Sequence, residues 1–288
     1  RDEVEFRYGG QAHVAYPADP DALDDAAWAR YVFSRDNPNG TMLEERATGE
    51  AWDLKQALGR LRVEVEWTSD PDRVHREALG MSWLARLAPA GAVPEPLFED
   101  RGHHLLAMRA VPRPHDNWKT LLMAGRLDDA HVGQFGMLLG TIHRGSWERR
   151  EEVAEVFDDR ANFESLRMEP YFRYAATQLP GTAAFMEGVI ESVQGRRLAL
   201  VHGDYSPKNL LVWKGKLVLV DHETIHFGDP AFDVGFSLTH LLSKANYFAP
   251  LRAEFAAAAR THWRAYQEPL GPDVPWAAEL EPHAVRLT

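Results

Sequence analysis

The stretch HGDYSPKNLLVWKGKLVLVDHE places His202, Asp204, Asn209 and Asp221 in close order along the chain. Leu210 to Trp213 and Leu217 to Val220 are short apolar runs separated by Lys214, Gly215 and Lys216, the pattern of a β-hairpin around a tight turn. Asn209 stands just before this ribbon and Asp221 just after it. The two ends of an antiparallel pair lie about 5 Å apart, so the two side chains can share one ion. A neutral oxygen donor and a carboxylate suit a hard cation that keeps several waters and shares its remaining positions with phosphates, namely Mg²⁺. Asp204 follows the apolar run Leu198 to Val201 and is placed to orient a hydroxyl and accept its proton. The chemistry implied is phosphoryl transfer.

On these residues the segment resembles the catalytic and metal loops of the aminoglycoside phosphotransferase and choline kinase superfamily, small-molecule relatives of protein kinases. The Asp to Asn spacing of the kinase pattern HRDxxxxN is kept in Asp204 and Asn209, Gly203 stands in the Arg position, and Asp221 matches the metal-binding Asp of the DFG triplet. The resemblance implies a catalytic base at Asp204, metal ligands at Asn209 and Asp221, and ATP or GTP with Mg²⁺ as cofactors. His202, Ser206, Lys208 and Asp233 are expected to support the site, Asp233 by hydrogen-bonding the backbone of the catalytic loop. Ser206 occupies the position where relatives carry Lys or His, and Lys208 follows two residues later. His222 is expected to pack as a half-buried ring.

The implied fold class is α+β, a protein-kinase-like two-lobed arrangement. A small antiparallel-sheet lobe with one long helix would span residues 1–110, and a larger, mostly helical lobe residues 111–288. In the first lobe Leu23 to Val32 reads as a short helix. Phe33 to Gly40 reads as a loop closed by Pro38, Asn39 and Gly40, with Asn39 and Gly40 the candidates for covering phosphate. Thr41 to Arg46 and Ala51 to Gln56 read as a hairpin whose second strand carries Lys55, the expected phosphate clamp. Asp70 and Pro71 mark the start of a helix in which Val74, Ala78, Met81 and Ala85 repeat at helical spacing. Glu77 falls inside that apolar stripe, where a carboxylate needs a partner, and Lys55 is the expected one. The string KQALGRLRVEVEWTSDPDRVHREA is similar to the corresponding stretch of methylthioribose kinases.

His103 to Val111 reads as a strand leading to a connector stiffened by Pro112 and Pro114, and the resemblance makes Met108, Arg109 and Ala110 the adenine-contacting stretch. His103 and His104, as strand neighbours, would point to opposite faces and are read as surface or packing residues. Asp128 is expected to cap a helix lined by Val132, Phe135, Leu139 and Ile142. Its Gly133, Gly136 and Gly140 imply close approach of another element. The carboxylates Glu148, Glu151, Glu152, Glu155, Asp158 and Asp159 read as a solvated face. Asp229 and Pro230 open the helix that contains Asp233, and Trp276 to Leu287 reads as a last helix.

Composition narrows the classes. A formal charge of −11 disfavours nucleic acid and anionic membrane as partners and is compatible with a cationic substrate, and the resemblance implies a small hydroxylated acceptor of aminoglycoside, sugar or amino-alcohol type. The absence of cysteine removes disulfides, thiolate nucleophiles and zinc fingers. No apolar run approaches the roughly 20 residues of a membrane span, and cytoplasm is the expected compartment. The alternatives on the same fold are a nucleotide-binding sensor or scaffold with reduced catalysis, and a nucleotidyl or protein-hydroxyl transferase.

Overall fold

A computed structural model of the chain describes residues 5–8, 11–14, 31–34, 41–45, 50–57 and 68–288. Strands β1 (Glu5–Tyr8) and β2 (Gln11–Val14) form a two-stranded antiparallel pair. Strands β3 (Tyr31–Ser34), β4 (Thr41–Glu45) and β5 (Ala51–Gln56) are successive antiparallel neighbours. They join β6 (Pro96–Asp100) and β7 (Leu105–Arg109) in a five-stranded sheet of order β3-β4-β5-β7-β6. Tyr31 and Val32 therefore belong to a strand and not to the end of a helix. The rest of that expected helix, and Asn39 and Gly40, lie outside the described residues.

Between β5 and β6 runs α1 (Arg73–Leu87). Asp70 accepts the Asp72 backbone N–H at 2.9 Å, so the expected cap acts on a turn just ahead of the regular helix. Val74, Ala78 and Met81 pack with Leu106 and Met108 of β7 in one apolar cluster. Ala85 is exposed, and the buried stripe continues instead through Leu84 and Leu87.

Beyond the connector, β8 (Asp116–Asn117) leads into α2 (Trp118–Met123), α3 (Asp129–Glu148) and α4 (Arg150–Phe157). A π-helical stretch, Glu164–Arg173, follows, then α5 (Ala183–Gly195). Three short strands build the catalytic region: β9 (Ala199–Val201) and the hairpin β10 (Leu210–Trp213) and β11 (Lys216–Leu219). β12 (His226–Gly228) then pairs with β9. Helices α6 (Pro230–Tyr247), α7 (Arg252–Leu270) and α8 (Ala277–Leu287) complete the fold. The class is α+β, as expected. Among the described residues no helix is long and apolar enough to cross a membrane.

Helix α3 is the axis of the larger core. Asp128 caps it by accepting the Ala130 N–H, and Val132, Phe135, Leu139 and Ile142 are buried along one face. A Cβ on Gly136 would come 2.2 Å from the His262 carbonyl oxygen, and one on Gly140 2.2 Å from that of Tyr266, so α7 crosses where α3 has no side chains. Gly133 differs from its two neighbours, because a Cβ there meets nothing within 4 Å. Gly140→Ala should destabilise by about 1–3 kcal/mol through overpacking, whereas Gly133→Ala should stabilise by about 1 kcal/mol through helix propensity. Urea unfolding midpoints check both signs. The acidic run from Glu148 to Asp159 is exposed, as a solvated face would be.

Candidate active site

The loop from His202 to Asn209 leaves β9 and enters the β10 hairpin. Gly203 has φ +77°, and a Cβ there would sit 2.7 Å from Thr224 Oγ1, so only glycine fits. Asp233, fully buried in the first turn of α6, accepts the backbone N–H of His202 at 2.7 Å and of Gly203 at 2.9 Å. The His143 imidazole stands 3.4 Å from the same carboxylate, and its other nitrogen is 2.9 Å from the Tyr266 hydroxyl. Burial alone would raise Asp233, but the hydrogen bond and charge of His143 and the amide of His202 hold its carboxyl below the usual range. Tyr205 anchors the loop from the other side. Its ring stacks on Phe135 at 4.7 Å and its hydroxyl donates to the Phe135 carbonyl.

Asp204 is completely buried. Its Oδ2 is 2.8 Å from an Arg167 guanidinium nitrogen, from Lys208 Nζ and from Asn209 Nδ2. Its Oδ1 has no partner. Three donors thus fix one oxygen and leave the other free to accept. Asn209 also donates to the Asp204 carbonyl at 2.9 Å, which ties the expected base to the expected ligand. Asn117 donates to the Lys208 carbonyl, and β8 pairs with β10, so the loop is braced from below. Ser206 is fully buried and its hydroxyl has no partner.

The hairpin forms with a two-residue turn, Lys214 and Gly215, both at positive φ. Lys216 pairs with Trp213 in the ladder instead of lying in the turn. At the far end the Val220 N–H donates to the Asn209 carbonyl, so the residues flanking the ribbon are brought together as its geometry requires. Asp221 adopts φ +70°, which turns it out of the strand. Its Oδ1 lies 2.6 Å from Lys55 Nζ, and the same ammonium is 2.6 Å from Glu77 Oε2 and 3.8 Å from Glu223 Oε2. Lys55 therefore spans from the sheet to α1 and to the metal loop at once.

Burial would pull the Lys55 ammonium down, but the surrounding Asp221, Glu77 and Glu223 charges outweigh it and hold its pKa well above the ordinary lysine value. Burial pushes the Glu77 carboxyl up, against the opposing pull of Lys55. Asp221 goes the other way. Burial would raise it, yet Lys55, Lys208 and Arg167 hold it below the usual carboxylate range.

His222 is buried outright and not half-buried, because its ring fills the space beside His202, 3.1 Å from ring nitrogen to ring nitrogen. The Asp204 N–H donates to His202 Nδ1, so the His202 proton sits on Nε2 and is given to His222 Nδ1. Burial lowers both imidazoles, His222 far below its ordinary value, so the pair is neutral. Two backbone amides of the stretch Met108 to Ala110 are paired within the fold. The Arg109 N–H donates to Glu95 and the Ala110 N–H to Ala51, both at 2.8 Å. Arg109 points outward to Glu50 and Glu95, and Met108 faces the apolar cluster on α1.

Arg167 and Glu223 are the functional candidates that the motif left out. Arg167 comes from the π-helical stretch, and the signal for it is a cation between apolar Leu166 and Met168, all three buried. Glu223 pairs with Arg73 at 3.0 Å as well as facing Lys55. One carboxylate oxygen from each of Glu77, Asp221 and Glu223 lies within 4.8 Å of the others. The three converge on the Lys55 ammonium, while the oxygen donors of Asn209, Asp221 and Glu223 are of the kind a hard divalent cation takes.

Comparison with known proteins divides the chain. Residues 1–51 match the sarcosine oxidase, delta subunit family. A sarcosine oxidase subunit delta from Corynebacterium sp. (strain P-1) is 61% identical over 44 residues, which are 15% of this chain and 45% of that protein. The chain thus spans less than half the length of the curated relatives it matches. Among solved structures, amicoumacin kinase hAmiN in complex with AMP-PNP, Ca²⁺ and Ami shares the fold with TM-score 0.59 at 14% identity, over 90% of this chain and 78% of that one. An aminoglycoside phosphotransferase from Alicyclobacillus acidocaldarius gives 0.51 at 15% identity, over 98% and 86%. The phosphotransferase enzyme family matches residues 59–271, and with well over half of its length inside that match the chain belongs to the phosphotransferase enzyme family.

Proposed function

We propose that the chain transfers the terminal phosphate of ATP to a hydroxyl of a small molecule, with Mg²⁺ as the metal. The observation that carries this reading is the split environment of Asp204, one oxygen held by three donors and the other buried without a partner. A carboxylate so fixed can accept a proton from a hydroxyl aimed at its free oxygen. Asn209 and Asp221 would hold the metal, with Glu223 beside them. The bound cation would supply charge neutralisation at the phosphates. Lys55, kept in place by Glu77, would clamp the phosphates, and Lys208 and Arg167 would neutralise charge on the acceptor side. Asp233 works through the loop backbone and touches no reactant.

The charge around Asp204 bears on the acceptor. His240 is lowered to about 4, first by burial and then by Lys244, with Asp204 opposing and Lys208 and Lys119 adding to the effect. Arg167 stands 5.9 Å above the Tyr171 ring, which itself stacks on Phe236 at 6.1 Å. Aromatic faces stack on sugar rings and also attract ammonium groups, and Arg167 and Lys208 are already paired with Asp204, so this side of the site suits sugar-like, aminoglycoside and amino-alcohol acceptors.

The test is turnover of ATP, and separately GTP, with Mg²⁺ and a panel of neutral, anionic and cationic alcohols, the product identified by mass. An added phosphate on one of these alcohols is the expected result. An added AMP would replace the kinase reading with nucleotidyl transfer. Nucleotide binding without any product across the panel would favour a sensor.

A further inference from the structure

A second group of metal-ligating side chains lies on the other side of α1, away from Lys55 and Asp221. One donor atom from each of Asp72, His75 and His104 lies within 4.8 Å of the other two. Asp72 precedes α1, His75 lies in its first turn, and His104 ends the turn that leads into β7. The expected strand position of His104 is thus replaced by a turn with φ +49°, in the left-handed region where histidine is among the more frequent non-glycine residues. This backbone swings the ring toward the helix, with the His75 and His104 centroids 6.0 Å apart.

Three further observations point to a ligand. The His75 side chain is only 6% exposed, and its Nδ1 is 2.6 Å from Glu99 Oε2. Its other nitrogen, Nε2, is buried without any partner. A carboxylate on one imidazole nitrogen that leaves the other free is the support found behind metal-binding histidines, where it fixes the tautomer and strengthens the ligand. His104 Nδ1 lies 3.0 Å from Asp72 Oδ1, yet it makes no aligned hydrogen bond. A tetrahedral ion that binds N and O donors at about 2.0–2.2 Å holds those donors roughly 3.4 Å apart; the Asp72 and His104 donors are 3.0 Å apart, and all three lie within 4.8 Å.

We propose that Asp72, His75 and His104 form a binding site for a zinc-class divalent transition metal, with Glu99 holding His75 in its ligating tautomer. Two imidazoles and one carboxylate select such an ion against Mg²⁺, which prefers oxygen alone, and leave a fourth position for water. An ion here ties the turn before β7 to the start of α1. Glu77 follows His75 by two residues on the same helix, so the site would brace the helix that positions Lys55.

The test uses the whole chain, stripped with a chelator and titrated with Co²⁺ in the absence of nucleotide. One equivalent should bind with the visible bands of a tetrahedral site, be displaced by Zn²⁺, and be undiminished by excess Mg²⁺. His104→Gly, which suits the positive φ, and Asp72→Asn, at an exposed position, should each weaken Co²⁺ binding at least about tenfold. The melting temperature of the metal-free protein should stay at the wild-type value in both. Glu99→Gln should weaken binding by about tenfold through His75. No stoichiometric binding by the wild-type chain, or equal binding by His104→Gly and Asp72→Asn, would show that the cluster is held by ordinary ion pairs. Since neither nucleotide nor phosphoryl transfer enters these readouts, the site stands or falls separately from the kinase reading.

Discussion

Asp204→Asn is expected to lower turnover by roughly a hundredfold to ten-thousandfold, the usual worth of a positioned general base, while nucleotide affinity changes little. The asymmetry follows from the geometry. Asp204 shares no hydrogen bond with Lys55, Glu77 or Asp221, so the groups proposed to hold phosphate keep their partners. The substituted amide has the same shape and can still accept from Arg167 or Asn209, but it has no basic oxygen to offer a hydroxyl. Steady-state kinetics with a nucleotide-binding titration separate the two effects. Wild-type turnover in the variant would remove Asp204 from the chemistry, and equal losses of binding and turnover would assign it to nucleotide positioning.

Asp233→Ala should be the most destabilising single change near the site. It strands the buried amides of His202 and Gly203, each at a cost of about 1–3 kcal/mol, and leaves His143 without its acceptor. A total of about 2–6 kcal/mol is large against the roughly 5–15 kcal/mol of a typical domain. Asp233→Asn keeps one acceptor oxygen and should fall between Ala and the native residue in melting temperature. The contribution also depends on pH. Because the folded carboxyl is held below its ordinary range, its stabilisation is complete above that range and is lost as pH falls through the depressed value. The difference in urea midpoint between wild type and Asp233→Asn should therefore shrink on acidification. A constant difference would show that the charge of Asp233 adds nothing to its hydrogen bonds.

The chemistry was legible in the sequence where it is local. Asn209 and Asp221 are joined by their own hairpin, so alternation and a turn were enough to bring them together. Glu77 was legible for another reason, since a carboxylate inside an apolar helical stripe demands a cation, and Lys55 supplies it. Arg167 was not legible. It reaches Asp204 from a π-helical stretch 36 residues before Gly203, whose carbonyl it also binds, and no periodicity announces that path. The YVFS run at residues 31–34 is a short apolar segment of the kind that suits helix or strand equally, and pairing with β4 decides for the strand. The backbone amides of Arg109 and Ala110 are spent on neighbouring chain, and sequence carries no record of where a main-chain donor goes.

The sheet that carries Lys55 resembles two different families in different strands. β3 and β4 fall within the stretch that resembles the sarcosine oxidase delta subunit, whereas the phosphotransferase match starts at residue 59, after β5. All of β5 but Ala51 stands between the two matches, and β5 ladders to β4, where Thr41 faces Leu54 and Glu44 faces Ala51. Every strand brings the same peptide N–H and C=O groups to a ladder, so β3 and β4 complete the row beside Lys55 through main-chain bonds wherever their direction and register match. Strands of different likeness thus share one hydrogen-bonded row, held by main chain that every sequence carries.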